Sequence, residues 1–93
     1  MYAVIFRATI AELDAGYLET AARLKELAFT KYGCRDFSSV TEGNEELAIS
    51  YWDTEQQIRD WKNDPVHRLA QKLGREKWYR SFSVEVCEIV RRH

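Results

Sequence analysis

Both ends of the chain are written as β-strands. Tyr2-Ala-Val-Ile-Phe-Arg-Ala-Thr-Ile10 is rich in β-branched and aromatic residues, and its even positions, Tyr2, Val4, Phe6, Ala8 and Ile10, are all apolar. Residues 81–91 keep the same two-residue period, with Phe82, Val84, Val86, Glu88 and Val90 alternating with Ser83, Glu85, Cys87 and Ile89. Between them, Asp14 is placed to cap a helix running to about Lys31, with Tyr17, Ala21, Leu24 and Ala28 on one stripe and Gly33 at its stop. Residues 36–42 and 45–52 read as two further strands joined by Gly43-Asn44, a pair suited to the positive φ of a hairpin turn. Thr54 with Gln57 forms a capping-box pattern for a short helix through about Asn63, and Asp64-Pro65 then restarts helix.

The order βαββαβ predicts a ferredoxin-like α+β protomer, an antiparallel sheet with its helices on one face. At 93 residues the chain is a single domain, 1–93, and one this short has only a marginal core of its own. Ala3, Ile5, Cys87 and Ile89 fall on the face that the helices leave bare. Two such faces packed together close a shared barrel, so a homodimer is expected. Aromatic residues make up 13% of the chain, more large apolar area than one thin core hides, so some should line a pocket or a subunit contact. Trp52, at a strand end, suits either the core or a subunit contact.

Charge narrows the partners. Fourteen Lys and Arg against fifteen Asp and Glu leave a formal charge of -1, no surplus to draw in a phosphate backbone, so no nucleic acid is expected. No apolar run approaches the ~20 residues of a membrane span, and Arg7 interrupts the only apolar start. A cytoplasmic location follows as an expectation, with Cys34 and Cys87 as reduced thiols. Glu42, Glu45 and Glu46 flank the hairpin turn without the Asp, His or Cys companions of a metal site.

On a continuous helix beginning at Pro65, residues His67, Gln71, Gly74 and Trp78 lie at offsets of zero, four, seven and eleven, one narrow stripe at ~100° per residue. Beside it runs a core stripe of Val66, Leu69, Ala70 and Leu73. An imidazole, an amide, a glycine that leaves space and an aromatic wall describe an apolar pocket with few polar groups. His67 is the one base there that works near neutral pH; its alternative is a partly buried helix residue whose nitrogens are satisfied by carbonyls or water. For Trp61 and Trp78 the alternative is simple core packing. Arg7 and Arg75 are placed either to orient an acidic or phenolic substrate or as ordinary surface residues.

Ser50-Tyr-Trp52, Trp61, Asp64-Pro-Val-His67, Ala70-Gln71, Gly74-Arg-Glu76, Trp78-Tyr79 and the Val-rich final strand together resemble the antibiotic biosynthesis monooxygenase domain along nearly the whole chain. The resemblance implies a dimeric α/β barrel with a pocket between helices and sheet in each subunit. It implies oxygenation of small electron-rich aromatics such as quinols and polyketide phenols by dioxygen, with no metal or flavin. His67 would take the proton, Trp61 and Trp78 would hold the ring, and Gln71 or Arg75 would steady the developing charge. A haem-degrading branch of the family carries an Asn on the first strand, a Trp after the third and a His further on. Trp61 keeps that Trp, but Phe6 stands at the Asn position, where it would instead touch substrate, and Gln71 at the iron-ligating His, so no haem and no other cofactor is implied. The competing expectation is a dimeric binding protein that keeps the pocket without turnover.

Overall fold

The computed structural model describes residues 1–93 and runs β1 (Tyr2–Ile10), α1 (Ala15–Thr30), β2 (Asp36–Glu42), β3 (Glu45–Trp52), α2 (Glu55–Lys62), α3 (Pro65–Leu73), a π-helical turn (Gly74–Trp78) and β4 (Tyr79–Glu88). The four strands form one antiparallel sheet in the order β2-β3-β1-β4, the ferredoxin-like arrangement that the element order predicts. β4 begins two residues earlier and ends three residues earlier than its alternation suggests. Tyr79 already pairs with Ile10 beyond a register shift at Thr9/Ile10, and past Glu88 only Ile89 stays attached, its N–H donating to the Met1 carbonyl at 2.9 Å.

Local signals act where the residues place them. The Asp14 carboxylate accepts the Tyr17 N–H at 2.9 Å and starts α1. Gly33, at φ 82°, turns the chain so that the Cys34 N–H reaches the Ala28 carbonyl at 2.9 Å. In the hairpin only Gly43 has a positive φ, 59°, the signature of a II′ turn; Asn44 does not share it. The Thr54/Gln57 capping box opens α2 with both reciprocal bonds made.

Alternation divides the sheet. Val4, Phe6, Ala48, Ser50 and Phe37 lie under the helices, while Ala3, Ile5, Ile49, Tyr51 and Cys87 pair across strands on the far face. The buried cluster of Val4, Ala28, Cys34, Trp52, Ile58 and Trp61 occupies one end of the sheet–helix interface. Trp52 is 0% exposed within it, its N–H donating to Ser50 Oγ at 2.9 Å, which makes it a core residue and not a subunit contact. Both cysteines are free. No helix is long and apolar enough to cross a membrane.

Candidate functional site

Beside the buried cluster, and sharing Val4 and Trp61 with it, the helices and sheet form a cavity of about 500 Å³, within the range of small-molecule sites. The sheet supplies its floor through Phe6, Glu46, Ala48 and Val84, α1 one wall through Tyr17, Ala21 and Leu24, and α2, α3 and the π-helical turn the other. Phe6, Trp61, His67, Gln71, Arg75 and Trp78 all line it. Arg7 does not: one residue on from Phe6, it is exposed on the opposite face, in a shallow groove with Thr9, Glu45 and Ser83.

His67 sits in the first turn of α3, a helix opened by Asp64, whose carboxylate accepts the Val66 N–H at 2.9 Å and the Tyr32 hydroxyl at 2.6 Å. Its ring meets the Trp61 indole edge-on, 4.5 Å between centroids. Trp61 is locked in turn by donating its N–H to the Leu24 carbonyl at 3.1 Å, and by stacking at 5.1 Å on Trp52. Burial pulls the His67 imidazole below the ordinary histidine value, and the Lys62 charge adds to the effect. The ring is therefore neutral near pH 7. Gln71 lies one turn on, its Nε2 3.3 Å from His67 Nδ1.

The helix beyond differs from the continuous α-helix expected. After Leu73 it widens into the π-helical turn, closed by the Tyr79 N–H donating to the Gly74 carbonyl. Trp78 thus leaves the α-helical stripe, yet still reaches the cavity, because Lys77 pairs with Asp14 at 2.6 Å and the Trp78 N–H donates to the same carboxylate at 3.3 Å. The room beside Gly74 is taken by a protein side chain: a Cβ there would stand 2.9 Å from the Tyr79 ring. The expected core stripe on α3 is kept only in part, with Val66, Ala70 and Leu73 half-buried. Leu69 is 52% exposed and no α3 residue is fully buried, because the face carrying His67, Ala70 and Gln71 is the one turned inward.

Glu46 is the cavity residue that sequence reasoning missed. It shares the parity of Ala48, Ser50 and Trp52, which was the available signal for a carboxylate under the helices. Its Oε2 accepts the Tyr17 hydroxyl and, at 3.5 Å, that of Tyr79. Burial raises both phenols, Tyr79 to about 12, so both remain protonated donors. Lys25 and Arg75 are exposed at the rim. No group of three or more His, Cys, Asp or Glu is arranged to hold a metal ion.

No family model matches the chain. YqjZ of Bacillus subtilis (strain 168), an uncharacterized protein, is 38% identical over 91 residues, which is 97% of this chain and 80% of that protein. Among solved structures, SnoaB, a cofactor-independent oxygenase from Streptomyces nogalater, superposes with a TM-score of 0.79 at 14% identity, over 98% of this chain and 94% of its own. An antibiotic biosynthesis monooxygenase gives 0.76 at 15% identity, over 98% of this chain and 100% of its own. PA3566 from Pseudomonas aeruginosa gives 0.74 at 16% identity, over 97% and 94%. The chain belongs to the family of Bacillus subtilis YqjZ, and its fold is that of the antibiotic biosynthesis monooxygenases.

Proposed function

We propose that this protein is a cofactor-independent monooxygenase acting on a small electron-rich aromatic, a quinol or polyketide-like phenol. The observation that carries the reading is a neutral imidazole on the wall of an aromatic cavity large enough for such a ring. Triplet dioxygen takes an electron readily from a phenolate and poorly from a phenol, so the protein's task is to remove a proton away from water. His67 takes the hydroxyl proton, and Phe6, Trp61 and Trp78 hold the ring. The phenolate passes one electron to dioxygen, and the resulting radicals combine at a ring carbon to form a peroxide. Loss of water leaves a carbonyl: a phenol with a free para carbon plus dioxygen becomes a quinone plus water, and a 1,4-quinol, oxygenated at a free ortho carbon, becomes a hydroxyquinone plus water. Both reducing electrons come from the substrate. Gln71 and, from the rim, Arg75 steady the charge.

In the structure the Gln71 amide nitrogen faces His67 Nδ1; the base role requires the amide turned over, its carbonyl accepting from an Nδ1–H, so that His67 Nε2 is free to accept. Left unturned, the amide leaves the other ring nitrogen protonated and favours a binding protein without turnover. Oxygen uptake with a panel of naphthols and quinols decides between them. His67→Ala is expected to lower kcat/KM by a factor of 10² or more, as loss of a general base does. Uptake unchanged by that substitution removes His67 from the mechanism, and no uptake on any substrate favours the binding protein.

The homodimer belongs to the same reading. Val40, 63% exposed, and the half-buried Ile5, Ile49 and Tyr51 form an apolar far face that a second copy would cover. Sedimentation of a stable monomer at micromolar concentration would count against it. A reducing cytoplasm suits the two free thiols.

A further inference from the structure

Glu46 places an ionisable group on the cavity floor, across from the α3 wall that carries His67. A carboxylate set among aromatic rings needs partners for its oxygens. Two hydroxyls converge on Oε2, while Oε1 accepts nothing from the protein and is accessible to solvent. Because Tyr17 and Tyr79 both spend their protons on Oε2, the cluster offers an incoming molecule an acceptor. A ligand hydroxyl complements that oxygen, whereas an ether or carboxylate oxygen would set lone pair against lone pair.

We propose that Glu46, held in place by Tyr17, is a second polar pole of the site, the one that recognises the second hydroxyl of a quinol. One of its hydroxyls donates to His67 and the other to Glu46 Oε1. This rests on the cavity being the substrate site. It goes further in assigning the recognition of a second hydroxyl to a residue outside the proton-transfer step.

The test is binding in the absence of dioxygen, followed by quenching of tryptophan emission, so that it does not depend on turnover. The probes are 1,4-dihydroxynaphthalene, its monomethyl ether and its dimethyl ether. With two poles, each methylation weakens binding by about tenfold, the size of a hydrogen bond to a charged or strongly polar partner. In Glu46→Gln the first methylation costs about threefold or less, because the monomethyl ether still satisfies His67, and the second keeps its effect. If Glu46→Gln does not fold by circular dichroism, Tyr17→Phe removes the O–H that holds Oε2, keeps the ring and should shrink the same first step.

Both steps surviving in the variant overturns the proposal, as does a single wild-type step that the variant leaves untouched. A single wild-type step abolished by Glu46→Gln upholds Glu46 and instead removes His67 from ligand recognition. Failure of the monooxygenase reading is seen separately, as absent oxygen uptake.

Discussion

Ala48→Leu should make the protein more stable and worse at binding, a combination that only open space explains. Ala48 lies on β3 between Phe6 of β1 and Ser39 of β2, and its methyl points into the cavity floor. Leucine adds three carbons there. Fully buried, they would contribute about 0.8 kcal/mol each, roughly 2.4 kcal/mol together. The cavity is open on the side of β4, where Phe82 and Val84 are 36% and 39% exposed, so about half of that is a fair expectation, near 1 kcal/mol. For a domain of this size that raises Tm by about 4–8 °C, readable by thermal circular dichroism. The same side chain occupies the place of a bound ring, so quenching of tryptophan emission by a naphthol should weaken by tenfold or more. Overpacking of an already filled interior gives the opposite sign, a loss of about 1–3 kcal/mol. A fall in Tm with naphthol binding unchanged would refute the cavity as a site.

The pH dependence follows from His67. Its folded value lies below the ordinary 6.5, so the unfolded chain takes up a proton first as pH falls. Stability from this group is therefore complete above about pH 6.5 and is lost as pH drops through the folded value, while Asp14 and Asp64, lowered from 3.8, lose theirs only below that. Urea midpoints across this range should slope below pH 6.5 in the parent and flatten in His67→Ala, and the acid limb of kcat/KM should also lie below 6.5. Gly33→Ala should cost about 2 kcal/mol: φ 82° disfavours any Cβ, and the new carbon would stand 2.7 Å from Gln57 Nε2, disturbing the side chain that caps α2. Urea denaturation with an unchanged midpoint would show that the turn relaxes freely.

The fold was legible in the sequence because its signals are local. Asp14, Thr54 and Asp64 each cap the helix that follows, and the strands of the hairpin run from residue 36 to 42 and 45 to 52 as their pattern implies. Phe6 reaches the cavity by strand parity and His67 and Gln71 by helical spacing, as the sequence implies, whereas Trp78 reaches it through its bond to Asp14. What stayed hidden depends on contacts distant in sequence. The π-helical turn coincides with the attachment of Lys77 and Trp78 to Asp14, more than sixty residues away. The outward turn of Leu69 follows from the packing of the opposite α3 face. The sequence shows Glu46 only as one of three glutamates flanking the hairpin turn, because its partners, Tyr17 and Tyr79, lie on other elements.

Those distant contacts also explain why a chain of 11.0 kDa keeps a cavity of about 500 Å³ instead of collapsing into it. Collapse would bury more apolar surface and, taken alone, lower the free energy. The walls are braced against it by polar bonds that cross between elements. Trp61 on α2 donates to the Leu24 carbonyl of α1, Trp78 to Asp14 ahead of α1, and Tyr17 on α1 to Glu46 on the sheet. Edge-on contacts add to this, Trp78 against Tyr17 at 5.2 Å and Trp61 against His67 at 4.5 Å, since rings that meet at right angles hold their elements apart. Closing the cavity would strand buried donors and acceptors, at about 1–3 kcal/mol apiece. The aromatic residues that seemed too numerous for a small core are thus used as spacers, and the site exists because they are tied by their polar ends.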